Sequence, residues 1–171
     1  MKTTVLVFAL PAAFLVAAPA AAIDVPQNRQ EFVKAVSAGA RGVKMETFVV
    51  ERDFEDAYRL LQRKAATCLD VTVNRTAYVG YTERSSSDYN PTVRRVGGRK
   101  GELDLQVVHR PRGLGHTPPP GGLYVMAADL KPLGPGRTEV ILYHPSMGFK
   151  DIVKSVKRWT AGEDAPCPKL K

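Results

Sequence analysis

The stretch that decides the fold is "ELDLQVVHR", residues 102–110. Leu103, Leu105 and Val107 alternate with Asp104 and Gln106, which puts the three apolar side chains on one side of an extended strand. Such a strand needs neighbours, and the flanking sequence supplies them. "DVTVNRTAYVGYTER" (70–84) is rich in β-branched and aromatic residues and reads as one strand. A polar loop, "SSSDYNP" (85–91), leads to another in "TVRRVGG" (92–98), and "RKG" turns the chain into 102–110. Beyond the Gly/Pro-rich loop "PRGLGHTPPPGG" (111–122), "LYVMAADLKPL" (123–133) and "TEVILYHP" (138–145) add two more strands around "GPG". Successive strands with short connections predict an antiparallel sheet.

Helices flank this sheet. In "QNRQEFVKAVSAG" (27–39), Asn28 and Glu31 fit an N-cap with its third-position acid, and Phe32, Val33 and Val36 form an apolar face. "RGVKMETFVVERD" (41–53) reads as a strand, and Asp53 is suited to cap the helix "FEDAYRLLQRKAATCLD" (54–70). There Phe54, Ala57, Tyr58, Leu61, Ala65 and Cys68 share one face. "SMGFKDIVKSVKRWTAG" (146–162) carries Phe149, Ile152, Val153, Val156 and Trp159 at helical spacing, with Ser146 as N-cap and Gly162 as C-cap. The expected fold class is α+β. An antiparallel β-meander of about five to six strands is packed by a helix before the sheet and a C-terminal helix.

The first residues point to a compartment. One early charge, Lys2, precedes an apolar run and a small-residue segment, "AAPAAA" (17–22), in which Ala20 and Ala22 form an A-x-A cleavage site. This predicts a signal peptide over 1–22, an N-terminal helical segment over 23–42 and a single α+β domain over 43–171. The mature chain is expected to be soluble, without a transmembrane anchor, and periplasmic or secreted. An exported chain with two cysteines has one possible intramolecular pair, so a disulfide between Cys68 and Cys167 is expected. It would staple the tail beyond the last helix to the end of the helix before the sheet.

The order of elements resembles that of helix-grip folds. The Cys-ended helix at Cys68 and the terminal Trp159, Gly162, Cys167 and Pro168 also look like those of small exported bacterial proteins of unknown function. That resemblance spans roughly residues 45–168 and implies an architecture but no activity.

No catalytic or metal-binding constellation emerges, and no cofactor is expected. His109 and His116 flank a Gly/Pro loop without a third ligand at suitable spacing. Ser146 follows His144 by two residues but lacks a nucleophile elbow. The positive signal is charge: the formal net charge is +8, and removal of the leader takes away only Lys2. Candidate anion-binding residues are Arg94, Arg95, Arg99, Lys100, Arg110 and Arg112, with a second group, Lys150, Lys154, Lys157 and Arg158, on the polar side of the last helix. A hairpin through "GGRKG" would set Arg99 and Lys100 at its tip and gather 94–95 with 110–112 at its other end. The expected role is non-enzymatic binding of an anionic lipid, a polysaccharide or a protein partner in the cell envelope through this basic surface. Nucleic acid is not an expected partner, because export separates the chain from it. The alternative is a carrier of a small lipophilic ligand, held in a cavity between sheet and last helix.

Overall fold

The computed structural model describes residues 25–78, 80, 82–111 and 118–170. The signal peptide over 1–22, Arg112 and His116 therefore lie outside the described residues. One antiparallel sheet holds six strands: β1 (Val43–Val50), β2 (Val71–Tyr78), β3 (Thr82–Val96), β4 (Lys100–Arg110), β5 (Leu123–Gly134) and β6 (Arg137–Pro145). Three helices accompany it: α1 (Arg29–Ser37), α2 (Phe54–Cys68) and α3 (Lys150–Thr160).

The strands lie in the order β1-β6-β5-β4-β3-β2, so β2 to β6 form the meander and β1 joins its far end. Consecutive strands β1 and β2 thus occupy opposite edges, and α2 connects them. Its 15 residues make about 22 Å of helix, close to the roughly 24 Å that six strands span. α2 and α3 cover one face of the sheet. The core there is built from Leu61, Leu103, Leu105, Leu130, Leu142, Val156 and Trp159, all fully buried. The apolar stripes of both helices and the inward residues of "ELDLQVV" meet in this layer, as their periodicities require. α1 packs on the opposite face, where Phe32 and Val36 sit against Ala127 and Tyr143.

The Asn28 cap forms as a reciprocal box: Glu31 N donates to Asn28 Oδ1 (3.0 Å), and Gln27 N donates to Glu31 Oε2 (2.8 Å). Cys68 and Cys167 are joined, with Cα atoms 5.1 Å apart. The tail before Cys167 is docked as well. Trp159 Nε1 donates to Ala165 O (3.1 Å), and Lys64 bonds Ala165 O and pairs with Asp164.

The structure corrects four expectations. The stretch 70–84 is two strands, because Gly80 at φ +77° lets the chain reverse between them. "SSSDYNP" is the middle of β3, where Ser86, Ser87 and Asp88 pair with both β2 and β4. Ser86, Asp88 and Asn90 suit this strand because its even-numbered positions lie on the face away from the main core, and Ser85 and Ser87, on the side of Tyr89, are only half-buried. Pro91 follows Tyr89, the last residue paired to β2, so its missing N–H costs that ladder nothing. Asp53 holds the N-cap position of α2 but accepts from Gly136 N (2.7 Å), pinning the β5–β6 turn instead of the helix. Ser146 does not cap α3, which begins at Lys150; its backbone N donates to Gly42 O (2.9 Å) and ties the two chain segments at the β1–β6 end.

Candidate functional site

The structure separates the expected basic group of the β3–β4 hairpin. Arg94 is paired with Glu102 and Arg95 with Gly101, next to the tip, whereas Arg110 is opposite Ser86 at the far end. Eight register steps, about 26 Å, lie between them, so 94–95 and Arg110 do not gather. The cause is the length of β3, which includes the stretch expected to be a loop. Arg94 and Arg95 also face opposite ways, because successive strand residues alternate. Arg95 lies over Phe54 and Tyr58 on the α2 side, 5.5 and 4.9 Å from the ring centroids, and forks onto Glu55 (2.7 and 2.6 Å).

Arg94 turns to the other face and enters a buried ionic cluster. It bonds Glu102 (2.7 Å) and Asp104 (3.0 Å), while Lys100 bonds Glu102 (2.8 Å) and lies 3.2 Å from Asp129. Arg29 of α1 closes the cluster, reaching Asp104 (2.7 Å), Asp129 (2.5 Å) and Glu102 (3.5 Å). Burial raises the Asp104 pKa, and the nearby Glu102 charge adds to this against the pull of Arg29 and Arg94. Burial also works against Glu102, but Lys100 and Arg29 outweigh it and leave its pKa lowered. Arg94 and Lys100 are thus partners of carboxylates that hold α1 to the sheet. Arg99, at the hairpin tip, makes no ion pair among the described residues. Arg110 pairs with Asp88 (2.9 Å) and lines a separate hollow of about 360 Å³ with Arg75 and Arg84.

The second basic group converges. Lys154 follows Lys150 by four residues, and Lys157 and Arg158 follow Lys154 by three and four, so all four lie on one side of α3, facing the edge formed by β1 and β6. Between them lies a cleft of about 500 Å³, lined also by Lys44, Glu46, His144, Pro145, Ser146 and Val153. Five cations therefore surround one lining carboxylate. Lys44 bonds Glu46 Oε1 (2.8 Å) and Lys157 pairs with Oε2; their hydrogen bonds, Lys157 first, lower the Glu46 pKa to about 2. Arg158 pairs with Glu163 (2.5 Å) beyond the helix. Lys150 and Lys154 make no ion pair among the described residues.

This arrangement is locally unfavourable. Lys150 stands at the first helical position, where the helix dipole repels a cation. Lys150 with Lys154, and Lys154 with Arg158, are like charges four apart, a spacing that costs about 0.2–0.5 kcal/mol per pair. Packing does not require either penalty, since these side chains lie away from the apolar stripe. His144 sits at the floor, only 6% exposed. Its Nδ1 is 2.8 Å from Pro145 O, and its Nε2 makes no hydrogen bond although Glu46 Oε1 is 3.4 Å away.

The helix spacing of the α3 cations was readable in the sequence. Lys44, Glu46 and His144 were not associated with them, because no local pattern shows that β1 pairs with β6. The register Lys44↔His144 brings them together. Arg29 was missed for the same reason, although the alternation of "ELDLQ" already placed Asp104 on the face opposite the core. Among the described residues no group of three or more His, Cys, Asp or Glu is arranged to hold a metal ion. His109 Nδ1 meets Ser87 Oγ (2.8 Å) on the neighbouring strand. The α3 stripe is packed into the core, with Val156 and Trp159 fully buried and Val153 7% exposed.

No family model matches the chain, and no curated protein matches it in sequence. Among solved structures, it is similar to a protein of Chromobacterium violaceum, CV1439, with 13% identity and a TM-score of 0.34 over 70% of this chain and 94% of that one. It is also similar to the solution structure of PsbP (CyanoP) from Synechocystis sp. PCC 6803, with 10% identity and a TM-score of 0.25 over 71% of this chain and 66% of that one. Neither similarity is close enough to bear on function.

Proposed function

We propose that the protein is an exported, non-catalytic binder of an anionic component of the cell envelope, a phosphate-bearing lipid headgroup taken up at the α3 cleft. The observation that carries this reading is the pair Lys150 and Lys154, cations without a carboxylate partner among the described residues, set beside a concave site at a cost to their own helix. Met147, 79% exposed just before α3, is an apolar side chain beside those charges, the combination that favours a lipid interface. The Cys68–Cys167 disulfide supports export, because such bonds persist in oxidising compartments. Among the described residues no helix is long and apolar enough to cross a membrane, and attachment is taken to be peripheral, through the α3 cleft.

Co-sedimentation with lipid vesicles tests the reading. The protein is expected to pellet with vesicles containing phosphatidylglycerol, not with phosphatidylcholine alone, and to be released as salt is added. The double variant Lys150→Glu, Lys154→Glu should stay in the supernatant. Equal binding to neutral vesicles, or a double variant that binds like the wild type, would overturn it.

A further inference from the structure

The unpartnered nitrogen of His144 restricts what the cleft can hold. Pro145 O can only accept, so the proton of a neutral His144 ring resides on Nδ1, and Nε2 is left as an acceptor. Its nearest charged neighbour is Glu46 Oε1 at 3.4 Å, another acceptor, already engaged by Lys44. A buried acceptor facing a carboxylate gains from a hydrogen-bond donor, and none reaches it among the described residues. Lys44 and Lys157 are held on Glu46, while Lys150 and Lys154 flank the cleft and call for negative charge.

Resting on the α3 cleft as the binding site, we propose that its ligand is an oxyanion that carries its own O–H donor, hydrogen phosphate being the simplest, and that His144 selects it over a fully deprotonated anion of equal charge. The anionic oxygens meet Lys150 and Lys154, and the O–H donates to His144 Nε2. Access to that nitrogen requires the side chains above it to part. Lys44 and Lys157, which line the cleft and are 59% and 41% exposed at the side chain, can make way by giving up their bonds to Glu46. A lipid headgroup with a phosphate and free hydroxyls offers the same chemistry as free hydrogen phosphate.

Hydrogen phosphate and sulfate separate the O–H from the charge, because at about pH 8 both are dianions and only phosphate keeps a proton. Calorimetric titration at matched ionic strength is expected to give about tenfold tighter binding of phosphate, the size of one buried acceptor satisfied. The ¹⁵N resonance of His144 Nε2 should move with phosphate and stay with sulfate. In His144→Phe, which keeps a ring but loses the acceptor, phosphate affinity should fall to that of sulfate. Equal affinities in the wild type, or an unmoved resonance, would overturn the proposal. So would a charged His144, which donates to Glu46 and favours both dianions alike.

The two readings fail separately. Salt-sensitive vesicle binding lost in Lys150→Glu, Lys154→Glu, without phosphate selection, removes the His144 subsite and leaves headgroup binding. Phosphate selection without vesicle binding removes the headgroup and makes free phosphate the ligand. Release of the protein from vesicles by phosphate, but not by sulfate, identifies the headgroup as its source.

Discussion

At the scale of single residues, charge and backbone conformation decide what each position tolerates. The Glu46 carboxyl has its pKa lowered to about 2 by its hydrogen bonds to Lys157 and Lys44. A lowered carboxylate stabilises the fold above its unfolded pKa, and that contribution disappears as pH falls through the folded value. An NMR pH titration of the Glu46 side chain should therefore turn near pH 2, and Glu46→Gln should be less stable than the wild type at neutral pH but equal to it at the acid end. The same variant frees Lys44 and Lys157 and should bind anions more tightly. A midpoint in the ordinary carboxylate range would show that the two lysines do not hold Glu46 in solution. Gly162 is constrained by its φ of +92°, and a Cβ there would also displace the Arg52 guanidinium. Gly162→Ala is expected to cost about 1–3 kcal/mol in urea unfolding; a neutral substitution would mean that the chain leaves the helix differently. Gly162 as the cap of α3 was readable from its place after the last periodic residue, whereas Arg52 packed over it was not, because they are distant in sequence.

At the scale of elements, sequence periodicity identified each helix and the strands whose two faces differ in polarity. It failed at β3, where the serines and Asp88 resemble a loop: Ser86 and Asp88 lie on the face away from the apolar core, Ser85 and Ser87 are only half-buried on the side of Tyr89, and β2 supplies the pairing that a loop would lack. α3 carries opposing demands. Its apolar stripe secures Trp159 at zero exposure, while Lys150 at the first helical position and the like-charge pairs made by Lys154 weaken the helix. Lys150→Glu should consequently raise stability by about 0.3–1 kcal/mol, through the helix dipole and the loss of one like-charge pair, even as vesicle binding falls. Measuring both on one variant decides whether the row is kept for binding. A stability decrease would mean that Lys150 serves the fold. The disulfide acts between elements, joining the end of α2 to the tail after α3 across a separation of 99 residues. Cys68→Ser with Cys167→Ser should lower unfolding free energy by up to about 4–5 kcal/mol, the entropic value for a loop of that length. Denaturation midpoints with and without reductant check it, and the double variant should not respond to reductant.

At the scale of the whole molecule, two helices on one face of the sheet and one on the other leave a question of what keeps α1 in place. Its apolar contact is small, since only Phe32 and Val36 are buried. The remainder is Arg29, 11% exposed at its side chain, bonded to Asp104 and Asp129 and close to Glu102. Glu102 and Asp104 were visible as alternating residues of β4, but neither Asp129 of β5 nor the shared partner was, because Arg29 is 75 residues from Asp104 and 100 from Asp129. A buried charge left without its partner costs about 3–5 kcal/mol. Arg29→Met keeps most of the side-chain volume and removes the charge, so it should destabilise by that order at neutral pH. The pH dependence then distinguishes charge from packing. Without Arg29 the pKa of Asp104, already raised by burial, loses the strongest pull against that burial and rises further, and a carboxylate raised in the folded state stabilises at low pH and loses that contribution as pH rises. The deficit of Arg29→Met relative to the wild type should therefore be small near pH 4 and grow toward pH 7, spanning the ordinary carboxylate range and above. Urea unfolding of both proteins at each pH gives the difference directly. A deficit that does not change with pH would mean that Arg29 acts through its hydrocarbon stem, and that the three acids remain satisfied by Arg94, Lys100 and water.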